Sequence, residues 1–424
     1  MADVLGPVWA GATALAAPAL RLYLRRRAVK GKEIAARLPE RWGIDPYPRP
    51  NGRLIWLHAA SVGETMSILP VLPVLTGHDP ELTVLVTTGT VTSAELLASR
   101  VESLGLTNRV LHRFVPLDVP GWVRRFLDHW RPDAVGFVES ELWPNILATC
   151  RTRRIPLMLI NGRISSRSAV TWSRFPAAAR SILLGFTRVH ARGEEDAARL
   201  RALGAARIDL TGDLKLACPE LPADPAELRA LLDRLSGRPV WTAASTHPGE
   251  EEIIHAVHQK LCLAHPGLLT IIVPRHPDRG PALAQRLKAQ RRGLNQAPPN
   301  EGVWIADTLG QLGLWYRLSP VCFVGRSLIP PGGGQNPLEP ARLGLAIAVG
   351  PHTDNFREHI DLLRSANALT VVEDVASLAH FVGGALSDPD QTAAMGARAK
   401  TAAVAWAALP AEIAGMLLRM MSED

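Results

Sequence analysis

From Arg53 onward, short runs rich in valine, leucine and isoleucine (54–58, 82–88, 110–115, 134–139, 157–161, 188–191 and 208–212) alternate with stretches of helically spaced apolar residues. Strands separated by helices are joined by crossovers, which favour a parallel sheet with helices on both faces. The alternation pauses in a segment holding Pro219, Pro222 and Pro225, then restarts at 240–245, 268–273, 303–306, 321–324, 346–349 and 369–372. A pause and a restart predict an α/β chain of two Rossmann-like domains facing a central cleft. A chain of 424 residues is also too long for one small core.

The expected organisation is an N-terminal membrane anchor (1–30), a first Rossmann-like domain (31–217), an interdomain linker with a helix inside it (218–238), a second Rossmann-like domain (239–390) and alanine-rich helices (391–424) that pack back on the first domain. Residues 4–24 are mostly apolar, with Arg21 the one charge, and are followed by Arg25, Arg26, Arg27, Lys30 and Lys32. That length can span or enter a bilayer, and basic residues behind it favour a cytoplasmic body. A cleavable signal would carry its charges before the apolar run. Pro7 and Pro18 interrupt a spanning helix, so a helix lying in the interface is an equal expectation.

Net charge is +7, yet six of 47 basic residues are lysine, and no basic stripe interleaved with aromatics speaks for nucleic acid. Cys150, Cys218, Cys262 and Cys322 lack the spacing of a zinc site or disulfide framework, which fits a reducing compartment. Neither GxGxxG nor GxxxxGK[ST] occurs, which disfavours dinucleotide redox enzymes and P-loop NTPases.

Polar signatures fall at the ends of the expected strands, where open α/β sheets bind ligands. Gly332-Gly333-Gly334-Gln335-Asn336-Pro337-Leu338-Glu339 follows such a strand; glycine N–H groups and a helix start suit a phosphate, with Asn336 as cap, Pro337 in the first turn and Glu339 directed at a sugar diol. In His58-Ala59-Ala60-Ser61-Val62-Gly63-Glu64, Gly63 permits a tight turn and Glu64 opens a helix, as a general base or as an acid favoured by the dipole. Glu139-Ser140-Glu141 puts two carboxylates at a strand end, one for chemistry and one for capping, with roles unassigned. Arg163, after Asn161-Gly162, offers a guanidinium to an acidic substrate. Lys215 is a rare lysine at the close of the domain.

In the second half Ser245-Thr246-His247-Pro248-Gly249-Glu250-Glu251 reads largely as a capping motif. Its histidine, with His255 and His258, lacks a metal-binding pattern, so no metal is expected. Pro274-Arg275-His276-Pro277-Asp278-Arg279 brings a guanidinium to a strand end, and Asp307 to Leu312 is a further strand-to-helix junction.

Taken together, HAASVGE, FVESELWPN, NGRISSRS, GDLK, ASTHPGEEE, VPRHPDR and GGGQNPLEPA, in this order, resemble the 3-deoxy-D-manno-octulosonic acid (Kdo) transferases of lipopolysaccharide synthesis. The resemblance implies a GT-B fold and an inverting, metal-independent glycosyltransferase without cofactor. It implies a CMP-Kdo donor, a lipid A precursor as acceptor, and work at the cytoplasmic face of a bacterial inner membrane. Glu64 matches the general base, and Glu139 and Lys215 match transition-state positions. Pro274, Arg275, Gly310, Gln311, Leu312, Asn336, Pro337, Leu338 and Glu339 match CMP-Kdo contacts, with Ser61, Gly63, Arg163, Ser245, His247, Arg326 and Gln335 as further candidates. The chain departs from the pattern at Gln335 (usually histidine), Arg326 (usually glycine) and Gln311 (commonly glutamate), which shifts the expected phosphate affinity onto Arg275 or Arg326. A GT-B enzyme using another nucleotide sugar, such as a UDP-hexosamine, and a silent membrane-bound scaffold are the competing expectations.

Overall fold

The computed structural model describes residues 5–217, 220–235 and 237–422. Val4, at the head of the apolar N-terminal stretch, and Cys218, Pro219 and Ser236 of the expected linker lie outside the described residues. The chain divides into two compact units, Met1–Cys218 with Ala408–Asp424, and Pro219–Ala407.

The first unit holds β1 Leu54–Ala59, β2 Thr83–Thr88, β3 Val110–Phe114, β4 Ala134–Val138, β5 Leu157–Gly162, β6 Arg188–Ala191 and β7 Leu210–Thr211. They form one parallel sheet in the order β3-β2-β1-β4-β5-β6-β7. Every residue of β1, β2, β4 and β5 is buried, because helices cover both faces; this is why these segments read as continuous apolar runs rather than alternating ones. Trp56 anchors the core, with its ring 4.7 Å from Phe126 and 5.5 Å from Phe137. Truncating so large a buried ring costs roughly 3–5 kcal/mol.

The second unit holds β8 Val240–Thr246, β9 Leu269–Pro274, β10 Gln290–Arg291, β11 Gly302–Ile305, β12 Val321–Val324, β13 Ala346–Val349 and β14 Leu369–Val371. Its sheet is again parallel, ordered β10-β11-β9-β8-β12-β13-β14. β10 was not expected: it is a two-residue polar edge strand without an apolar signal, short as edges tend to be. The helix Pro225–Leu235, expected inside a linker, buries Leu231 and Leu235 against the cluster of Trp304 and Trp315 and is an integral part of this unit.

The alanine-rich C-terminal segment does not act as one piece. By length and composition Pro389–Met420 could cross a bilayer. It is in fact two helices, Pro389–Val404 and Leu409–Met420, broken at 405–408. The first packs on β13 and the helix Leu338–Arg342 in the second unit, and the second buries Ile413, Leu417 and Met420 against β4 and the helix Val71–His78 in the first. These are core helices, and only the last one belongs with the N-terminal domain.

The N-terminal helix Leu5–Val29 lies along the first unit. Trp9 Nε1 donates to Asp118 Oδ2 at 2.8 Å, Asn145 Nδ2 donates to Thr13 Oγ1 at 3.1 Å, Leu24 is buried, and Arg21 lies over the rings of Trp42 and Trp122. Its other side leaves Val8, Leu15 and Leu22 exposed at seven-residue intervals, which is one stripe on a helix.

Candidate active site

Apart from the edge step that sets β10 outside β11, the chain order reverses once in each sheet, between β1 and β4 in the first unit and between β8 and β12 in the second. The crossovers diverge there, leaving a crevice at the carboxyl ends of the two strands. Part of the predicted set stands at these two places, Glu64, Glu139 and Lys215 in the first unit and Ser245, His247 and Arg326 in the second, whereas Arg163 follows β5 and Gly310 to Leu312 follow β11. Strand ends also carry unusual backbone: Glu139, Asn161, Ser245 and Arg326 have φ of 58, 55, 56 and 57°, in the left-handed region that costs a non-glycine residue about 1–3 kcal/mol.

In the first unit β1 delivers the chain to Ser61, the N-cap of the helix Val62–Ile68. Ser61 Oγ donates to Glu64 Oε1 at 2.7 Å and the Ala60 N–H donates to Oε2 at 2.8 Å, so both carboxylate oxygens are held and Glu64 is only 8% exposed. Burial raises its pKa; the bonds from Ser61 and Ala60 oppose this, and the charges of Glu141 and Glu139 add to it. The outcome is a carboxylate more basic than usual. Gly63 makes no tight turn, since it sits inside the helix; a Cβ there would lie 3.8 Å from Lys215 Nζ, so this glycine flanks the lysine.

Lys215 Nζ pairs with Glu139 Oε1 at 2.5 Å. Its turn is held by groups not singled out in the sequence. Asp213 caps the turn by accepting from the Lys215 N–H, while Asn161 donates to Asp213 and accepts from the Leu214 N–H. Buried His190 accepts from the Asn161 N–H at Nδ1 and therefore donates to Gly212 O from Nε2. Burial lowers its pKa to about 4, consistent with that neutral tautomer. Of the two strand-end carboxylates, Glu141 caps no helix: it accepts from Trp143 Nε1 at 2.6 Å and faces His58 Nε2 at 3.6 Å. Burial pushes its pKa up, but His58 and Trp143 more than offset this and hold it below the usual range. Arg163 is exposed just past β5 and has no ion pair among the described residues.

In the second unit the capping explanation of 245–251 fails. The N-cap of the helix Glu250–Leu261 is Gly249, with no side-chain cap, and both glutamates turn inward, fully buried. Glu250 Oε1 accepts from the N–H groups of Ser327 (2.9 Å) and Leu328 (3.1 Å), and Oε2 from those of Arg326 (2.7 Å) and His247 (2.9 Å). Glu251 accepts both guanidinium arms of Arg279, at 2.7 and 3.0 Å, and the Thr246 hydroxyl. His247 Nδ1 donates to Ser245 O at 3.1 Å. Pro274 ends β9, and exposed Arg275 follows, tied back by its N–H to Thr246 O.

Gly310 (φ 76°) turns the chain into Gln311 and Leu312, where a short helix Leu312–Arg317 starts. Gln311 accepts from Thr308 and donates to Glu227 Oε2 at 3.1 Å, so it secures the helix Pro225–Leu235.

The glycine run differs from its expected role. The N–H of Gly333 is spent on His352 O and that of Gly334 on Arg326 O, so these two donors are not free to face an anion. The glycines are required because the loop packs tightly: φ is 58° at Gly332 and 106° at Gly333, and a Cβ would meet His352 at 2.2 Å and Asn355 at 2.5 Å. Arg326 Nε donates to Gly332 O at 2.9 Å, which commits part of its guanidinium to bracing the loop. Pro337 is the N-cap rather than a first-turn residue, Asn336 Oδ1 accepts from the Leu338 N–H, and the helix Leu338–Arg342, carrying Glu339, spans five residues. Gln335 lies half-buried beside them. Among the described residues no three His, Cys, Asp or Glu side chains converge as metal ligands.

Residues 36–218 match the family model described as 3-deoxy-D-manno-octulosonic-acid transferase (kdotransferase). The chain is 35% identical over 391 residues to a probable mitochondrial 3-deoxy-D-manno-octulosonic acid transferase of Arabidopsis thaliana, covering 88% of this chain and 86% of that one. It is 34% identical over 373 residues to the 3-deoxy-D-manno-octulosonic acid transferase of Haemophilus influenzae, covering 85% of each. In fold it is similar to Acinetobacter baumannii MurG, with a TM-score of 0.52 at 11% identity, covering 88% of this chain and all of that one.

Proposed function

Since the chain belongs to the 3-deoxy-D-manno-octulosonic acid (Kdo) transferase family, and is thus a glycosyltransferase built of two parallel-sheet α/β units, we propose that it transfers Kdo from CMP-Kdo to a lipid A precursor with inversion at the anomeric carbon. The observation that carries this reading is Glu64, a buried carboxylate at the β1–β4 crevice whose basicity is raised by burial and by its acidic neighbours. A sugar hydroxyl is a poor nucleophile until its proton is removed, and a carboxylate held above its ordinary pKa is suited to that step. As the acceptor oxygen bonds to the anomeric carbon, Glu64 takes its proton, the bond from that carbon to the phosphate oxygen breaks, and CMP leaves with the electron pair. The Lys215–Glu139 pair supplies fixed charges for the transition state.

The donor is taken by Pro274, Arg275, Gly310, Gln311, Leu312 and Asn336 to Glu339, with Arg275 rather than a metal ion meeting the charge of the leaving phosphate. The N-terminal helix lies in the bilayer interface rather than across it: bonds to Asp118 and Asn145 tie its first half to the first unit, while Val8, Leu15 and Leu22 face outward. Carrying Arg25, Arg26 and Arg27 towards its end and followed by Lys30 and Lys32, this helix keeps the enzyme at the cytoplasmic face of a bacterial inner membrane, where its acceptor resides.

Donor competition tests the reading. CMP should inhibit transfer and UDP should not. The reverse pattern would point to another nucleotide sugar, and failure to bind either nucleotide would leave only the scaffold.

A further inference from the structure

Residues 142–193 contain nine arginines and no aspartate, glutamate or lysine, a larger positive charge than the +7 of the entire chain. Within this stretch stand two short helices, Ser166–Ser173 and Pro176–Leu183. The first has no buried residue, and its Ala169 and Trp172 pack on the core of the first unit. On its outer side Arg167, Val170 and Arg174 follow at intervals of three and four, a single stripe; Pro176, Arg180 and Leu184 form a second on the next helix. Val170 is 59% exposed, Phe175 50% and Leu184 48%.

Of the nine arginines three are paired, and the other six, three of them on the hairpin, form no ion pair among the described residues. Arg153, Arg188 and Arg192, beside the sheet, pair with Asp128, Asp209 and Asp196. The three on the hairpin are Arg167, Arg174 and Arg180. Exposed aliphatic and aromatic tips set among uncompensated guanidinium groups suit a surface that is apolar just beneath a layer of phosphates. The hairpin is also continuous with the N-terminal helix. Gly6, Pro7 and Ala10 of that helix and Ser181 and Ile182 of the hairpin line one groove of about 370 Å³.

We propose that the hairpin 166–184 is a second membrane-contacting element, which docks on an anionic phospholipid bilayer beside the N-terminal helix. It rests on the interfacial reading of that helix and adds a lipid-charge preference to it. At about 1 kcal/mol per basic residue near an anionic surface, three arginines change partitioning on the order of a hundredfold.

The test is co-sedimentation of the full chain with vesicles of phosphatidylcholine alone or mixed with phosphatidylglycerol. The triple variant Arg167→Gln/Arg174→Gln/Arg180→Gln should lose on the order of a hundredfold of its binding to the mixed vesicles and none of its binding to phosphatidylcholine. Val170→Ser/Phe175→Ser should bind both more weakly. The three arginines are exposed, so the melting temperature of the triple variant should not move, and both variants should remain folded. If the parent binds and the variants bind equally well, the hairpin proposal is overturned while the helix reading stands; if the parent binds neither vesicle, both fall. Loss of transfer to a soluble, deacylated acceptor by the triple variant would assign the hairpin to the acceptor itself and also overturn the proposal.

Discussion

Replacing Glu250 by glutamine should weaken donor binding through the loop it anchors, although Glu250 itself is not among the residues expected to contact the donor. Each carboxylate oxygen of Glu250 accepts two backbone N–H groups, two from Ser327 and Leu328 and two from Arg326 and His247. An amide keeps one oxygen and turns the other into an NH2, so whichever way it is flipped, two N–H groups in a fully buried site face a donor. Bonds to a charged acceptor are worth roughly 1.5–3 kcal/mol each and a stranded buried donor about 1–3, which puts the loss at about 3–6 kcal/mol. Relief is restricted, because Gly325 leaves no slack: a Cβ there would lie 2.9 Å from Glu250 Oε2. A loss of that size is a large part of the 5–15 kcal/mol typical of a domain. The assay is chemical denaturation together with CMP titration. The variant should lose stability in that range, and CMP affinity should fall because the loop of Arg326 and Gly332 is no longer anchored. An unchanged CMP affinity and a stability change under about 0.5 kcal/mol would refute the argument, because that is the range of an ordinary surface substitution.

Three further outcomes are expected. Since burial, reinforced by Glu141 and Glu139, raises the Glu64 pKa, the folded state binds this proton more tightly than the unfolded chain. Parent stability therefore declines as pH rises from the ordinary carboxylate range through the raised value. Glu64→Gln should remove that decline, and parent transfer activity should rise over the same window; an opposite difference in slope between parent and variant unfolding would contradict the assignment. Gln311→Glu would set a carboxylate against Glu227 Oε2, now bonded at 3.1 Å, and should destabilise the second unit by roughly 1 kcal/mol, read from the unfolding midpoint; a stabilised variant would show that Arg292, which pairs with the other oxygen of Glu227, takes up the charge. Gln335→His should keep its turnover in a steady-state assay, and a collapse would mean that the glutamine is matched to this loop in a way its half-buried position does not reveal.

Much of the architecture was legible because parallel strands covered on both faces are buried throughout and therefore mostly apolar, as β1, β2, β4 and β5 are. β10 was not, since two polar residues on an edge carry no such pattern. Glu64 stood out by following a strand and opening a helix, but its raised basicity depends on Glu139 and Glu141, which arrive from β4, beside β1 in space and far away in sequence. Glu250 and Glu251 were hidden for a related reason: acidic residues at a helix start are ordinarily explained by the dipole, and nothing local tells that they point inward to Arg279 and the loop after β12. The glycine run stood out in the sequence as a source of free N–H groups, of which those of Gly333 and Gly334 are already bonded within the fold. Its glycines answer to close packing against His352 and Asn355, a contact that only the folded chain displays.

The most direct test of the central claim is mass spectrometry of a lipid A precursor incubated with CMP-Kdo and either the parent protein or its Glu64→Ala variant. The account predicts that the acceptor gains one or more Kdo units with the parent and none with the folded variant. Equal Kdo addition by the variant would contradict Glu64 as the base, and no addition by the folded parent would contradict the proposed donor and acceptor.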